Sequence, residues 1–358
     1  MNRATPQALA VTRPTPAAGG AAPPVCVLGT GAVGGYIGGA LQAAGAVVQF
    51  VARPRTRQAL QQHGLHLTDL EGRQQHLPAA ALALHAEPPA LHTATLVLLC
   101  VKAGDTAAAV RSLPPLPAGS VLLSLQNGLH QAEVARAALA EGGATPPTVL
   151  PGMVPFNIAE VGPGHLHRGT AGQLAVQQHA ALQPWLPAFQ AAGLPLALHA
   201  DLLPVQWGKL LLNLNNPVNA LSGLPLRAQL LDRDCRRVLA ALQQEALGLL
   251  QLAGVRPAQL TPLPPQRLPT VLRLPNWLFT RVAARMLRID AQARSSMADD
   301  LARGRGTEID ALCGEVVRLA HQLGREAPLN QAISALVKAC QEPPGPVGGR
   351  ALRQRLGL

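Results

Sequence analysis

The stretch VCVLGTGAVGGYIGGALQAAGAVVQFVAR, Val25 to Arg53, decides the fold. It opens with a short apolar β-run at 25–28, passes through a glycine turn into roughly fifteen residues of helical pattern, and closes on a second β-run at 47–52. Gly29, Gly31 and Gly34 keep the G-x-G-x-x-G spacing directly after a strand and at the opening of a helix. In such a unit the first glycine permits the tight turn, the second lets backbone approach a pyrophosphate, and the third brings helix against sheet. The helix start adds free N–H groups and a partial positive charge for the phosphates. Gly29, Thr30, Gly31, Ala32, Val33 and Gly34 are the candidate dinucleotide-binding loop.

No charged residue occurs from Thr15 to Ala52, and the basic start Met1-Asn2-Arg3 invites a signal-peptide or membrane-span reading. The glycines crowded through this stretch, with Gln42 and Gln49, argue against a spanning helix. Residues 1–24, rich in Pro, Ala and Gly, are expected to form a flexible tail, so that the fold begins at Val25.

The end of the second strand reads which dinucleotide binds. NAD enzymes place Asp or Glu there to accept from the ribose hydroxyls, whereas FVARPRTR offers Arg53, Arg55 and Arg57, with no acid before Asp69. A guanidinium can grip a 2′-phosphate through paired hydrogen bonds, which favours NADP(H), with Arg53 as the leading candidate. Further β-runs follow at 94–101, 120–126 and 148–154. The first two end in KAGDT and NGLH, at the carboxyl edge of a parallel sheet where such folds bind ligands. Lys102 and Asn127 are therefore site candidates, with a plain loop start as the alternative for each.

After HADLLPVQ the alternation gives way to helical periodicity, interrupted by the Pro-rich run at 256–269. Residues 25–202 are expected to form the dinucleotide-binding domain and 203–343 an all-α domain, with 344–358 a tail. The segment WGKLLLNLNNPVN, Trp207 to Asn219, sets one lysine and four asparagines among apolar residues. Lys209 and Asn213 share a helical face, Asn216 continues it, and Pro217 should end or kink the helix. Buried amides and ammonium groups need partners, and a ligand would supply them. Further on, Ser296, Asp300 and Arg303 are spaced along one face, and Thr307 with Asp310 forms a capping box expected to open a helix carrying Glu308 in its first turn.

Composition bounds the function. The chain has 358 residues, 48% of them hydrophobic, enough for two sizeable cores. Its +11 charge is carried by scattered arginines with only 2% aromatics, which suits small anionic substrates better than nucleic acid. Five widely separated cysteines, without CxxC or Cys/His ligand spacing, point to reduced thiols in a cytosol and to no metal site.

Four motifs in order, GTGAVGGYIG, LSLQNGL, WGKLLLNLNNPVNAL and SSMADDLARGRGTEIDALCGEVV, resemble the 2-dehydropantoate 2-reductase (ketopantoate reductase) family over Val25 to Asn330. The resemblance implies an α/β Rossmann-type domain with a parallel sheet, followed by an all-α domain. It implies NADPH as cofactor and a small 2-keto acid as substrate, with neither nucleic acid nor membrane as partner and a homodimer as a possible assembly. It makes Lys209 the catalytic lysine and Glu308 its acidic partner, which also meets the cofactor. Asn127 lies near nicotinamide and substrate, Asn213 one turn after the lysine, and Ser296 on the substrate carboxylate, while Lys102 and Arg53 meet the cofactor. Two features depart from the family pattern. NNPVN displaces an asparagine by one residue, leaving its role to Asn216 or Asn219, and Ala293 stands where some relatives are polar.

Overall fold

The computed structural model describes residues 24–141, 147–284, 287, 293–340 and 347–358. The expected tail at 1–24 therefore lies almost wholly outside the described residues.

Val25–Leu28, Leu96–Leu99 and Val121–Ser124 are buried at every position, the continuous apolar pattern of strands covered on both faces. They form the centre of an eight-stranded sheet. Its order is Ala197–His199, Ala175–Gln177, Thr148–Met153, Val121–Ser124, Leu96–Leu99, Val25–Leu28, Val48–Val51 and Ala83–His85. All pairings from Thr148–Met153 to Ala83–His85 are parallel, whereas Ala175–Gln177 runs antiparallel to Thr148–Met153. Val25–Leu28 pairs with Val48–Val51 on one side and Leu96–Leu99 on the other. Winding therefore reverses at the strand that leads into the glycine loop, the switch point where open α/β sheets bind ligands.

A second sheet was not expected. Gln74–Leu77, Leu65–Asp69, His165–Arg168 and Ile158–Gly162 form it in that order. Leu65, Leu67 and Leu166 are buried, while the intervening Thr68 hydroxyl bonds the rings of both His165 and His167 on the opposite face. The helix Ala32–Ala43 lies between the two sheets. A Cβ on Gly38 would stand 2.6 Å from Val27 and one on Gly39 2.6 Å from Leu65, so the glycine-rich sequence is also what lets both sheets close on one helix.

The last strand ends at His199 and helices begin at Leu203. The second core gathers Trp207, Leu214, Val218, Val238, Leu242, Phe279, Val316 and Ile333. Arg236, fully enclosed, donates to the carbonyls of Leu230, Leu231, Leu272 and Leu274 and to Asn276, with its guanidinium 4.1 Å from the Phe279 ring centroid. Those bonds compensate a charge that would otherwise be costly to bury.

The expectation of a tail over 344–358 is corrected. Residues 341–346 lie outside the described set, but Gly349–Arg355 is a helix whose Leu352 and Leu356 enter the second core, and Arg353 pairs with Asp234 at 2.9 Å. Spaced four apart, the two leucines fall on one face and bury together.

Candidate active site

The glycine loop is tied down by the neighbouring strand. Gly29 takes φ +103°, and Thr30 donates to Val51 O through both its amide (3.0 Å) and its hydroxyl (2.9 Å). Gly31 then caps the Ala32–Ala43 helix. A Cβ on Gly34 would overlap Gly29 O, so the chain's own packing demands glycine there. At Gly31 no described atom beyond its immediate surroundings comes within 4 Å of that position, and its φ of −88° is open to any residue. Packing therefore does not explain Gly31. An open approach to backbone at a helix N-terminus does, and it fits a pyrophosphate.

Arg53 follows the second strand and stands at the N-cap of Pro54–His63. Its exposed guanidinium pairs with Asp105 at 2.5 Å. Asp105 belongs to the turn from Lys102 to Thr106, where Asp105 N bonds Lys102 O, and the Thr106 hydroxyl bonds Ala103 O and Gln131.

The same turn joins the domains. Lys102 Nζ pairs with Asp300 at 2.6 Å and donates to Gly306 O at 2.7 Å. Ala103 N donates to Glu308 Oε1 at 3.1 Å, Asn127 Nδ2 to Glu308 Oε2 at 2.8 Å, and Asn213 Nδ2 to Asn127 Oδ1 at 3.3 Å. Asn127, Asn213 and Glu308, far apart in sequence, thus share one network with Ala103 N, and Lys102 bridges to Asp300 and Gly306 beside it. Two N–H donors, one to each oxygen, fix the orientation of the Glu308 carboxylate.

The setting of Glu308 corrects the capping-box expectation. Thr307 and Glu308 lie in irregular chain, 309–312 bend and turn, and the helix begins only at Cys313. Glycines precede the segment at 304 and 306, and Glu308 spends its carboxylate on Ala103 and Asn127 rather than on its own backbone.

Lys209 projects from Leu203–Asn213, among the buried Val205, Trp207, Leu210 and Leu211. Its ammonium lies 3.5 Å from Pro155 O, and burial pushes its pKa from 10.5 down to about 8. The helix breaks at Leu214, three residues before Pro217, because proline has no N–H for the Asn213 carbonyl and its ring crowds that group. A second helix, Asn215–Ser222, continues from the break.

The break sorts the asparagines. Asn219 is fully buried; it donates to Leu224 O at 2.8 Å and accepts from Ser295 N at 2.9 Å. Its assignment as a substrate-binding residue is thereby corrected, since both ends of its amide brace the chain. Asn215 accepts from Gln229 at 3.0 Å. Asn213 and Asn216 stay half-buried, and the Asn216 side chain has no hydrogen-bond partner among the described residues. Ser295 caps Ser296–Ala302 through Ala298 N, while Ser296 is exposed on the first turn.

Sequence reasoning missed four participants. Pro155 contributes only a main-chain carbonyl, for which no sequence signal exists. Asp105 lay within KAGDT and Asp300 within MADD without an evident partner. Glu315 reads as an ordinary helix acid, yet it is buried and bonds His130 across the domain junction at 2.7 Å.

The family described as ketopantoate reductase PanE/ApbA matches residues 25–181, and its C-terminal counterpart matches residues 201–341. The chain belongs to the ketopantoate reductase family. It is 27% identical to a 2-dehydropantoate 2-reductase from Halobacterium salinarum, covering 88% of this chain and 98% of that one. Among solved structures it resembles a PanE/ApbA family ketopantoate reductase from Ralstonia eutropha, with 30% identity, a TM-score of 0.73 and the same coverage, 88% and 98%. D-mandelate dehydrogenase, solved with NADH and anilino(oxo)acetate, shares the fold at 17% identity and a TM-score of 0.71, covering 88% of this chain and 98% of that one. Membership makes the protein a nicotinamide-dinucleotide oxidoreductase with a mainly parallel sheet and a helical second domain. Among the described residues no helix is long and apolar enough to cross a membrane.

Proposed function

We propose that this chain reduces 2-dehydropantoate to (R)-pantoate with NADPH, in cytoplasmic pantothenate and coenzyme A synthesis, with Lys209 as general acid. The observation that carries this reading is the half-buried ammonium of Lys209, one turn before an amide that reaches Glu308 through Asn127. The relatives' names support the substrate.

Gly29–Gly34 would hold the pyrophosphate of NADPH and Arg53 its 2′-phosphate, and the bound cofactor would supply the hydride. As the keto carbon is reduced, its oxygen gains negative charge. Lys209 stabilises that charge and delivers a proton from Nζ, a contribution typically worth about 10²–10⁴ in rate. A group with pKa about 8 is still mostly protonated near neutrality yet parts with its proton more readily than an ordinary lysine. Asn127 and Ala103 N hold Glu308, with Asn213 bracing Asn127, and none of them neutralises Lys209, while Asn216 and Ser296 offer polar groups for the substrate's hydroxyl and carboxylate.

The test is loss of NADPH absorbance with purified protein and 2-dehydropantoate, run beside NADH and a panel of branched 2-keto acids. Turnover with NADPH and 2-dehydropantoate is expected. Turnover on another keto acid alone would establish the second reading, which Ala293 and the displaced Asn216 favour. Two copies per assembly are expected from light scattering.

A further inference from the structure

We propose that Asp105 sets how strongly this enzyme prefers NADPH over NADH, its carboxylate competing with the 2′-phosphate for the Arg53 guanidinium. The inference rests on the reading above that Arg53 takes that phosphate.

Arg53 stands one residue beyond Ala52, where the second strand of a dinucleotide-binding unit reads the adenosine ribose. Its Nη2 is 2.5 Å from Asp105 Oδ2, and the side chains are 72% and 47% exposed, so the pair is open to a solute. Asp105 ends the 3-10 turn Ala103–Asp105 that leads into Thr106–Arg111, in a helical conformation (φ −94°, ψ −1°) from which its side chain makes no capping bond and is left for other partners. Its carboxylate is used instead on a residue 52 positions earlier. The turn is fixed independently of that contact, by Asp105 N on Lys102 O and by Thr106 on Ala103 O and Gln131. Lys102, the other cation of the turn, is engaged by Asp300 and Gly306.

A phosphate gripping Arg53 must therefore share or displace a carboxylate held by the same fork of donors. Two like charges about 5 Å apart near a water-exposed surface cost a factor of roughly five to ten in affinity, allowing for the phosphate's second charge. A ribose bearing only a hydroxyl meets no such repulsion and can donate to the carboxylate. Arg53 and Asp105 thus pull selectivity in opposite directions, and the chain is expected to use both cofactors with a moderated NADPH preference.

The experiment compares kcat/KM for NADPH with kcat/KM for NADH in the full-length wild type, Asp105→Asn, Asp105→Ser and Arg53→Ala. Both replacements at 105 remove the carboxylate while keeping a small polar side chain, and thermal melts check folding. The expected result is a rise of about five- to tenfold in the NADPH-to-NADH ratio for each, shrinking at high ionic strength. A fall in the ratio for Arg53→Ala with no rise for either Asp105 variant would overturn this proposal and leave the phosphate assignment standing. An unchanged ratio in Arg53→Ala would remove the phosphate assignment and this proposal with it.

Discussion

Replacing Lys209 with Met should make the protein inactive and, near neutral pH, more stable. Lys209 sits on a helix whose Val205, Trp207, Leu210 and Leu211 are buried, and among the described residues its ammonium has Pro155 O, at 3.5 Å, to replace lost hydration. A fall in pKa from 10.5 to about 8 corresponds to a ceiling of about 3 kcal/mol for the cost of carrying the charge. Lys209 keeps partial contact with solvent, which reduces the figure to about 1–2 kcal/mol. The sign follows from linkage. Below about pH 8 both states are protonated and the folded one bears the whole cost. Between about 8 and 10.5 the folded protein sheds the proton first, and above 10.5 the cost is gone. Urea unfolding of wild type and Lys209→Met should show the variant ahead by about 1–2 kcal/mol near pH 7, with the advantage fading as pH rises from about 8 to 10.5. No gain at neutral pH, or an equal gain at both ends, would refute the reasoning, the latter because it would reflect packing rather than charge. Turnover of the variant should fall by about 10²–10⁴.

In the reductive direction, wild-type kcat/KM should decline as pH rises through about 8, while Lys209→Arg, which cannot lose its proton, should lack that limb of the profile. Gly31→Ala should melt like wild type but bind the dinucleotide weakly, whereas Gly34→Ala, whose methyl would overlap Gly29 O, should lower the melting temperature itself. Asn127→Asp sets a carboxylate against Glu308 at a 2.8 Å contact and should reduce kcat/KM about a hundredfold, with partial recovery as pH falls and the pair takes up a proton. Deleting residues 349–358 removes Leu352 and Leu356 from the second core and should cost about 3–5 kcal/mol in urea unfolding.

The central strands were legible because they are apolar throughout and short, and the glycine spacing fixed what followed the first. The small sheet escaped notice although LHLTD does alternate: histidine and glutamine occupy its open face, and its strands come from segments about a hundred residues apart, so no local pattern announces the pairing of His165–Arg168 with Leu65–Asp69. Lys102, Asn127, Asn213 and Glu308 could be nominated from residue type and motif, but the bonds that Asn127, Asn213 and Glu308 make with one another, and that Lys102 makes with Asp300 and Gly306, arise only when the two domains meet. Asn219 shows the converse. Its spacing suited a ligand role, and only its two main-chain bonds disclose a brace. The C-terminal helix was missed because two leucines in ten residues give periodicity too little to register.

The helix Ala32–Ala43 has a further consequence for assembly during synthesis. Its inner face finds Val27 and Phe50 almost at once, but the cover for Gly35 and Gly39 includes Leu166, which leaves the ribosome more than a hundred residues later. Contacts so distant along the chain form late, and an unfinished face left waiting ordinarily exposes apolar surface that attracts other chains. Here the waiting face is glycine at 35 and 39, so that Tyr36, which ends against Asp69 and Phe156, is its one large buried side chain. The residues that make the finished sandwich thin also reduce the apolar surface its half-built form presents.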